Sequence, residues 1–230
     1  MEKRNKITLH QLFWYFIFFS IAGLIIETLY CFITTGNIES RKGLIWGAFC
    51  PVYGVGAVVL IIFLNKYQDN YWKLFIYGEL LGAVTEYILS YILEAIYGIR
   101  FWDYSYLSYN LNGRICAAYS IYWGFLAILL MKLIKPVLDK LIAKITGKYQ
   151  KQIDLGIFLF LCIDALVTVW AIHSFETRII ANYYDEEITL NSLEQSKFFC
   201  DEQMLTTFPN LRVVLRNGEQ VFIKDIITQK

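Results

Sequence analysis

Five ionisable side chains stand where a sequence this apolar has little reason to keep them. Glu27, Glu79, Glu86 and Asp164 interrupt long hydrophobic segments, and Arg114 sits at the head of another. An acid at mid-bilayer costs roughly 2.5–3.5 kcal/mol on insertion scales, so each must face protein, water or a ligand. Buried carboxylates bind cations, relay protons or act as general bases, and an arginine can hold a carboxylate or a phosphate. One guanidinium cannot neutralise four carboxylates, so some are expected to be protonated, hydrated or ligand-bound. The plainer reading is an ion pair, Arg114 with Glu86, that fixes the register of a bundle and does nothing more.

The richest polar stretch runs from Arg100 to Gly124, R-F-W-D-Y-S-Y-L-S-Y-N-L-N-G-R-I-C-A-A-Y-S-I-Y-W-G. Taken singly, Asp103, Asn110 and Asn112 suit caps and Asx turns, and Trp102 and Tyr104 suit an interface. Taken with Arg114 they supply the donors and acceptors of a lined pocket. The expected substrate-binding set is therefore Glu27, Glu86, Trp102, Asp103, Tyr104, Asn110, Asn112 and Arg114. They are expected to converge on one hydrated chamber roofed by the aromatic loop.

Other chemistries find no support. Cys31, Cys50, Cys116, Cys162 and Cys200 are scattered and odd in number, without metal-ligand spacing, so no metal and no cofactor is expected. No serine–histidine or cysteine–histidine constellation offers a nucleophile, and His10 and His173 lie far from the polar loop. There is no basic nucleic-acid patch.

The elements that must position these groups follow from composition. The 230 residues are 57% hydrophobic and 18% charged, with a mean hydropathy of +0.45, well beyond a soluble domain. The reading is an all-α polytopic membrane protein with about five transmembrane helices, at about Leu9–Ile33, Leu44–Leu64, Trp72–Ile96, Ile115–Ile134 and Ile153–Phe175. The first half of the second span carries Gly43, Gly47, Pro51, Gly54 and Gly56, which marks either a kinked packing helix or a helix broken at a wet or protein-lined site. Gly78 and Gly82 form a G-x-x-x-G contact element beside the face shared by Glu79 and Glu86.

Four regions follow: a four-span core over 1–134 with a polar loop at 97–114, a basic amphipathic helix over 135–152, a fifth span over 153–175 and a polar tail over 176–230. In the second region Lys140, Lys144 and Lys148 recur every four residues beside an apolar face, as in an interfacial helix lying on anionic lipid. A partner-docking helix is the alternative. The tail is expected to hold a helix and a β-hairpin over 211–226, turned at Asn217-Gly218. One hairpin is marginal alone, so it should dock on the rest of the protein or on a partner. Lys3, Arg4, Lys6, Lys66 and the lysines of 132–151 would share one side, which places the N-terminus in the cytoplasm of a cell-membrane protein and the tail outside.

Several short motifs together resemble a known family: G-L-I-I-E-T at 23–28, R-K-G-L-I-W-G at 41–47, C-P-V-Y-G-V-G-A at 50–57, T-E-Y at 85–87, W-D-Y-S at 102–105, N-L-N-G-R-I-C at 110–116 and W-G at 123–124. This set is similar to the ABC-transporter permeases of the CmpB type, over about Leu12 to Pro136, with T-F-P-N-L-R at 207–212 and the hairpin also similar to tails of that family. The chain departs at Arg41-Lys42-Gly43, where an asparagine-arginine-glycine is usual, and at Ala22-Gly23-Leu24, where a glycine-tryptophan is usual. The resemblance implies a permease or substrate-binding membrane subunit for a small polar solute. The chain holds no G-x-x-x-x-G-K-[ST], so an ATPase would be a separate subunit. Two other readings stand beside it: a membrane enzyme acting on a lipid-linked or phosphate-bearing substrate, and a scaffold or signalling protein with the tail as its interaction module.

Overall fold

The computed structural model describes residues 6–97, 99–187 and 197–228. Lys3 and Arg4, and residues 188–196 of the acidic stretch, lie outside them. Helix α1 (Leu9–Thr35) starts at a capping box, with the Thr8 hydroxyl accepting from Gln11 N and the Gln11 side chain accepting from Thr8 N. It ends at Gly36, whose left-handed backbone bonds back to Phe32 O. Helix α2 (Pro51–Leu64) is prolonged by a 3-10 turn, Asn65–Tyr67, and α3 spans Tyr71–Tyr97. After a short polar excursion with strands β1 (Ile99–Arg100), β2 (Asn110–Leu111) and β3 (Ile115–Cys116), α4 (Ala117–Leu129) leads through a π-turn, Leu130–Ile134, into α5 (Lys135–Ile142). Helix α6 (Gln150–Tyr183) has 34 residues. The tail carries α7 (Asp201–Thr207), strands β4 (Arg212–Val214) and β5 (Gln220–Phe222), and α8 (Ile223–Thr228).

Four helices are long and apolar enough to cross a membrane: Leu9–Thr35, Tyr71–Tyr97, Ala117–Ile142 and Gln150–Tyr183. The second apolar segment departs from the expected full span at Leu44–Leu64, because its helix begins only at Pro51. Pro51 lacks the N–H an upstream turn would need, and Gly47 takes φ 70°. Residues 43–50 instead return their polar backbone to neighbouring helices. Cys50 N donates to Ser20 O of α1 at 2.9 Å, Ile45 N to the Thr168 hydroxyl at 3.1 Å and Trp46 N to Asp164 at 3.1 Å. Ser20, Asp164 and Thr168 all lie well inside their helices. Non-helical backbone is tolerated at such depth only when protein satisfies it, as here.

A second difference lies at 135–152. No separate interfacial helix forms there; Lys135–Ile142 continues α4 without a break, and Lys144 and Lys148 fall in the turn before α6. Pro136 does not end the helix because the π-turn just before it widens the backbone, with Lys135 N reaching Leu130 O five residues back. Lys135 is buried against Asp139 at 2.8 Å, and Asp139 also takes the Tyr15 hydroxyl. Lys140, Lys144 and Lys148 are exposed.

Helices α3 and α4 pack closest at Gly78 and Gly82, where a Cβ would overlap Ala127 and Trp123. One core, around Tyr15, Ile61, Leu74 and Met131, joins α1 to α5 at the end where α1 begins. A second joins the far end of α6 to the tail through Phe175, Ile179, Met204, Leu211 and Val213, and a third, smaller one gathers Ile17, Leu44 and Leu161. The hairpin is shorter than 211–226, since Ile223 onward is helix, and it docks on the chain itself: β4 pairs antiparallel with β1 and with β5. The tail and the 99–116 loop therefore stand at the same end of the bundle.

Candidate functional site

Glu86 lies on the buried face of α3 with 8% of its surface exposed. Its two oxygens are taken from two sides, Oε1 by the Tyr104 hydroxyl at 2.9 Å and Oε2 by the Trp123 indole N–H at 2.9 Å. Tyr104 is set by the loop: its N donates to Gly113 O at 2.8 Å, and its ring lies 4.9 Å from that of Tyr119. Burial, with Glu86 beside it and Tyr119 and Glu27 further off, holds the Tyr104 hydroxyl above its ordinary range, so it remains a donor. Glu27, on α1, receives the hydroxyl of Tyr53 from the first turn of α2. That turn reaches α1 because Gly23 leaves room for the Tyr53 ring. Among the described residues no lysine, arginine or histidine pairs with Glu27 or Glu86. Each of the two carboxylates is thus held by neutral donors only, Tyr53 on Glu27 and Tyr104 with Trp123 on Glu86, and Tyr104 lies near enough to feel the Glu27 charge.

Arg114 does not join them. Its guanidinium lies 3.0 Å from Glu94 and 3.0 Å from the Ser90 hydroxyl, beneath the rings of Tyr87 and Tyr91. Glu94 also binds Arg100. The expected Arg114–Glu86 pair is replaced because Arg114, at the tip of the loop, meets α3 two turns past Glu86. The remaining loop residues mostly hold the loop. Trp102 donates to Arg114 O at 3.1 Å, Asn110 donates to Leu107 O at 2.7 Å and accepts from Gly113 N, and Asn112 donates to the Tyr87 hydroxyl at 3.0 Å. Asp103 accepts from Ser105 and pairs with Arg212 of β4 at 2.6 Å, so it serves the docked tail.

The acids are therefore distributed among separate groups rather than around one chamber. Glu27 and Glu86 gather with Tyr53, Tyr104 and Trp123; Glu94 gathers with Arg100 and Arg114; Asp164 belongs to the 43–50 segment. Glu79 is half-buried and takes part in none of these bonds. Sequence reasoning missed Tyr53 and Trp123 as partners, although both lie in motifs it had singled out, C-P-V-Y-G and W-G. It also missed Arg178, which is 3% exposed and ties α6 to Asp201 and to Phe199 O.

Four helices long and apolar enough to cross a membrane, with exposed leucines and isoleucines along them, define a multi-pass helical membrane protein. Residues 14–169 match the family described as "Putative ABC-transporter type IV", and the chain belongs to that family. The matched region holds both carboxylate groups, the polar loop and Asp164, and it ends before the tail. Neither a curated protein nor a solved structure matches the chain.

Proposed function

We propose that the protein is the permease or substrate-binding membrane subunit of a transporter, and that it takes a small cationic solute between Glu27 and Glu86. The observation that carries this is the pair of inward carboxylates with no cationic partner, surrounded by phenol and indole groups. Carboxylates offer the charge and aromatic faces favour an organic cation. The reading in which Arg114 holds a lipid phosphate is less supported, since Glu94 already occupies that guanidinium.

The chain has no phosphate-binding loop of its own, so a separate ATPase would supply the energy. The end of the bundle carrying Lys6, Lys66, Lys140, Lys144 and Lys148 would face the cytoplasm of the cell membrane, with these exposed lysines against anionic lipid. The 99–116 loop and the tail would then face outside.

The test is thermal stabilisation of the purified chain in lipid nanodiscs by a panel of alkylammonium and guanidinium compounds. Stabilisation by a member of the panel, lost in Glu27→Gln and Glu86→Gln, is expected. Equal stabilisation in the double variant would refute the site.

A further inference from the structure

Asp164 is wholly buried near the middle of α6, and only one of its oxygens is used. Oδ1 accepts from Trp46 N at 3.1 Å and from the Thr168 hydroxyl at 3.3 Å. Oδ2 has no partner among the described residues. An ionised carboxylate placed so would keep a bare charge out of water, and buried acids escape that cost by taking up a proton. The groups that face it are few. Lys42 approaches from the 36–50 segment and the Tyr97 hydroxyl from the end of α3, neither within bonding distance. On the α1 side, Ile17 and Ile21 belong to the apolar cluster that also takes in Leu44 and Ala165, next to Asp164 in the chain. A metal ion would need several further ligands, and no group of three or more His, Cys, Asp or Glu gathers anywhere among the described residues. A proton needs only the free oxygen.

We propose that Asp164 is a proton-binding site, with the proton on Oδ2, and that its neutral form latches the 43–50 segment to α6. When the proton leaves to water, the buried carboxylate must be solvated. Water can reach the carboxylate only if the 43–50 segment lifts from α6, which opens the contact with Trp46 N. The segment is short and closed on itself, Gly43 N donating to Phe49 O at 3.0 Å, so it moves as a unit. It runs directly into Pro51 and Tyr53, the residue that holds Glu27. Proton binding at Asp164 is thereby linked to the carboxylate pair. That link rests on the reading of Glu27 and Glu86 as the solute site; the proton site and the latch do not.

Two measurements on the full chain in nanodiscs test this across a pH series. The first is infrared absorption of protonated carboxyls. A band expected in the wild type should be lost in Asp164→Asn and kept in Glu86→Gln. The second is the rate of thiol labelling at Cys50 in a background where the other cysteines are serine. Because thiolate reactivity rises with pH in any variant, the readout is the ratio of the two rates: wild type over Asp164→Asn, which mimics the neutral acid, should climb as the pH rises. Absence of any band attributable to Asp164 at every pH overturns the proton site. A band with a rate ratio that does not climb with pH overturns the latch. Intact band and latch together with failure of cation binding at Glu27 and Glu86 would remove the solute reading alone.

Discussion

Trp123 and Glu86 are joined across the α3–α4 seam: the indole N–H donates to the carboxylate at 2.9 Å, beside Gly82. The same residue thus packs the α3–α4 seam and fixes one oxygen of the inward acid. Trp123→Phe keeps most of the packing and removes the donor. An unsatisfied buried acceptor costs about 1–3 kcal/mol, so the variant should lose that much unfolding free energy in detergent, whereas a pair with Glu86→Gln should be less than additive. A double-mutant cycle on unfolding free energy checks it.

The seam itself gives a sharper contrast. A Cβ at Gly82 would overlap Trp123, but one at Gly56 of α2 would meet the same ring at 3.4 Å, a contact that a small adjustment relieves. Gly82→Ala should therefore destabilise by about 1–3 kcal/mol, as overpacked cores do, and displace Glu86 from Tyr104. Gly56→Ala should be close to neutral. Comparative thermal unfolding of the two variants separates them.

How far these contacts were legible in the sequence depends on what kind of information fixes them. Hydrophobic length revealed four of the five expected spans as membrane-length helices, and the G-x-x-x-G spacing revealed the α3–α4 seam, because both are local patterns. Asn217-Gly218 revealed the hairpin turn for the same reason, and Gly218 takes φ 82°. The choice of Glu94 over Glu86 by Arg114 was not legible: both acids lie on one helix, and only the path of the loop decides between them. The depth of residues 43–50 was half legible. Gly47 and Pro51 announced a break, but whether it lay in a kinked span or in non-helical backbone depended on acceptors at Ser20 and Asp164, far away in the chain. At Pro136 local reasoning misled, since the π-turn that accommodates the proline has no sequence signature of its own.

Glu94 serves two arginines at once, Arg100 and Arg114, and Arg114 is the more buried. Removing the shared acid strands both guanidinium groups, and breaking a buried pair costs about 3–5 kcal/mol. Glu94→Ala should fall in that range. Arg114→Ala should cost less, because Glu94 keeps Arg100. Chemical unfolding of each variant decides the order, and the reverse order would mean that Arg114 has another carboxylate partner.

At the tail, Glu186 meets Arg216 in a two-pronged pair at 2.7 and 2.9 Å. Hydrogen bonds from Arg216 hold the Glu186 carboxyl below its ordinary range. A carboxyl lowered by folding adds stability that is present above its unfolded value and disappears as the pH falls through the lowered one. Both groups are exposed, so the effect is local and small. Measured against the intrinsic exchange rate, which itself slows in acid, amide protection at the Leu215–Glu219 turn should fall on acidification below the usual glutamate range, and the step should be missing in Arg216→Ala.

The pair that ties the tail to the polar loop is Asp103 with Arg212, at 2.6 Å, with the Asp103 side chain 9% exposed. It lies beside the β1–β4 pairing, where Arg100 is opposite Arg212. Two arginines facing each other repel, and Asp103 on one with Glu94 on the other relieves the repulsion. Asp103→Asn should therefore do more than remove one ion pair: it exposes Arg212 to Arg100 and should loosen the whole sheet. Limited proteolysis between α6 and β4 should accelerate in Asp103→Asn. The Arg212→Gln change should partly restore protection in that background, since it removes the cation left unpaired. A coupling of about 0.5–3 kcal/mol is expected for residues in direct contact. Additive losses would mean that the hairpin is held by its apolar face, Val213 against Phe175 and Ile179, and not by this charge pair.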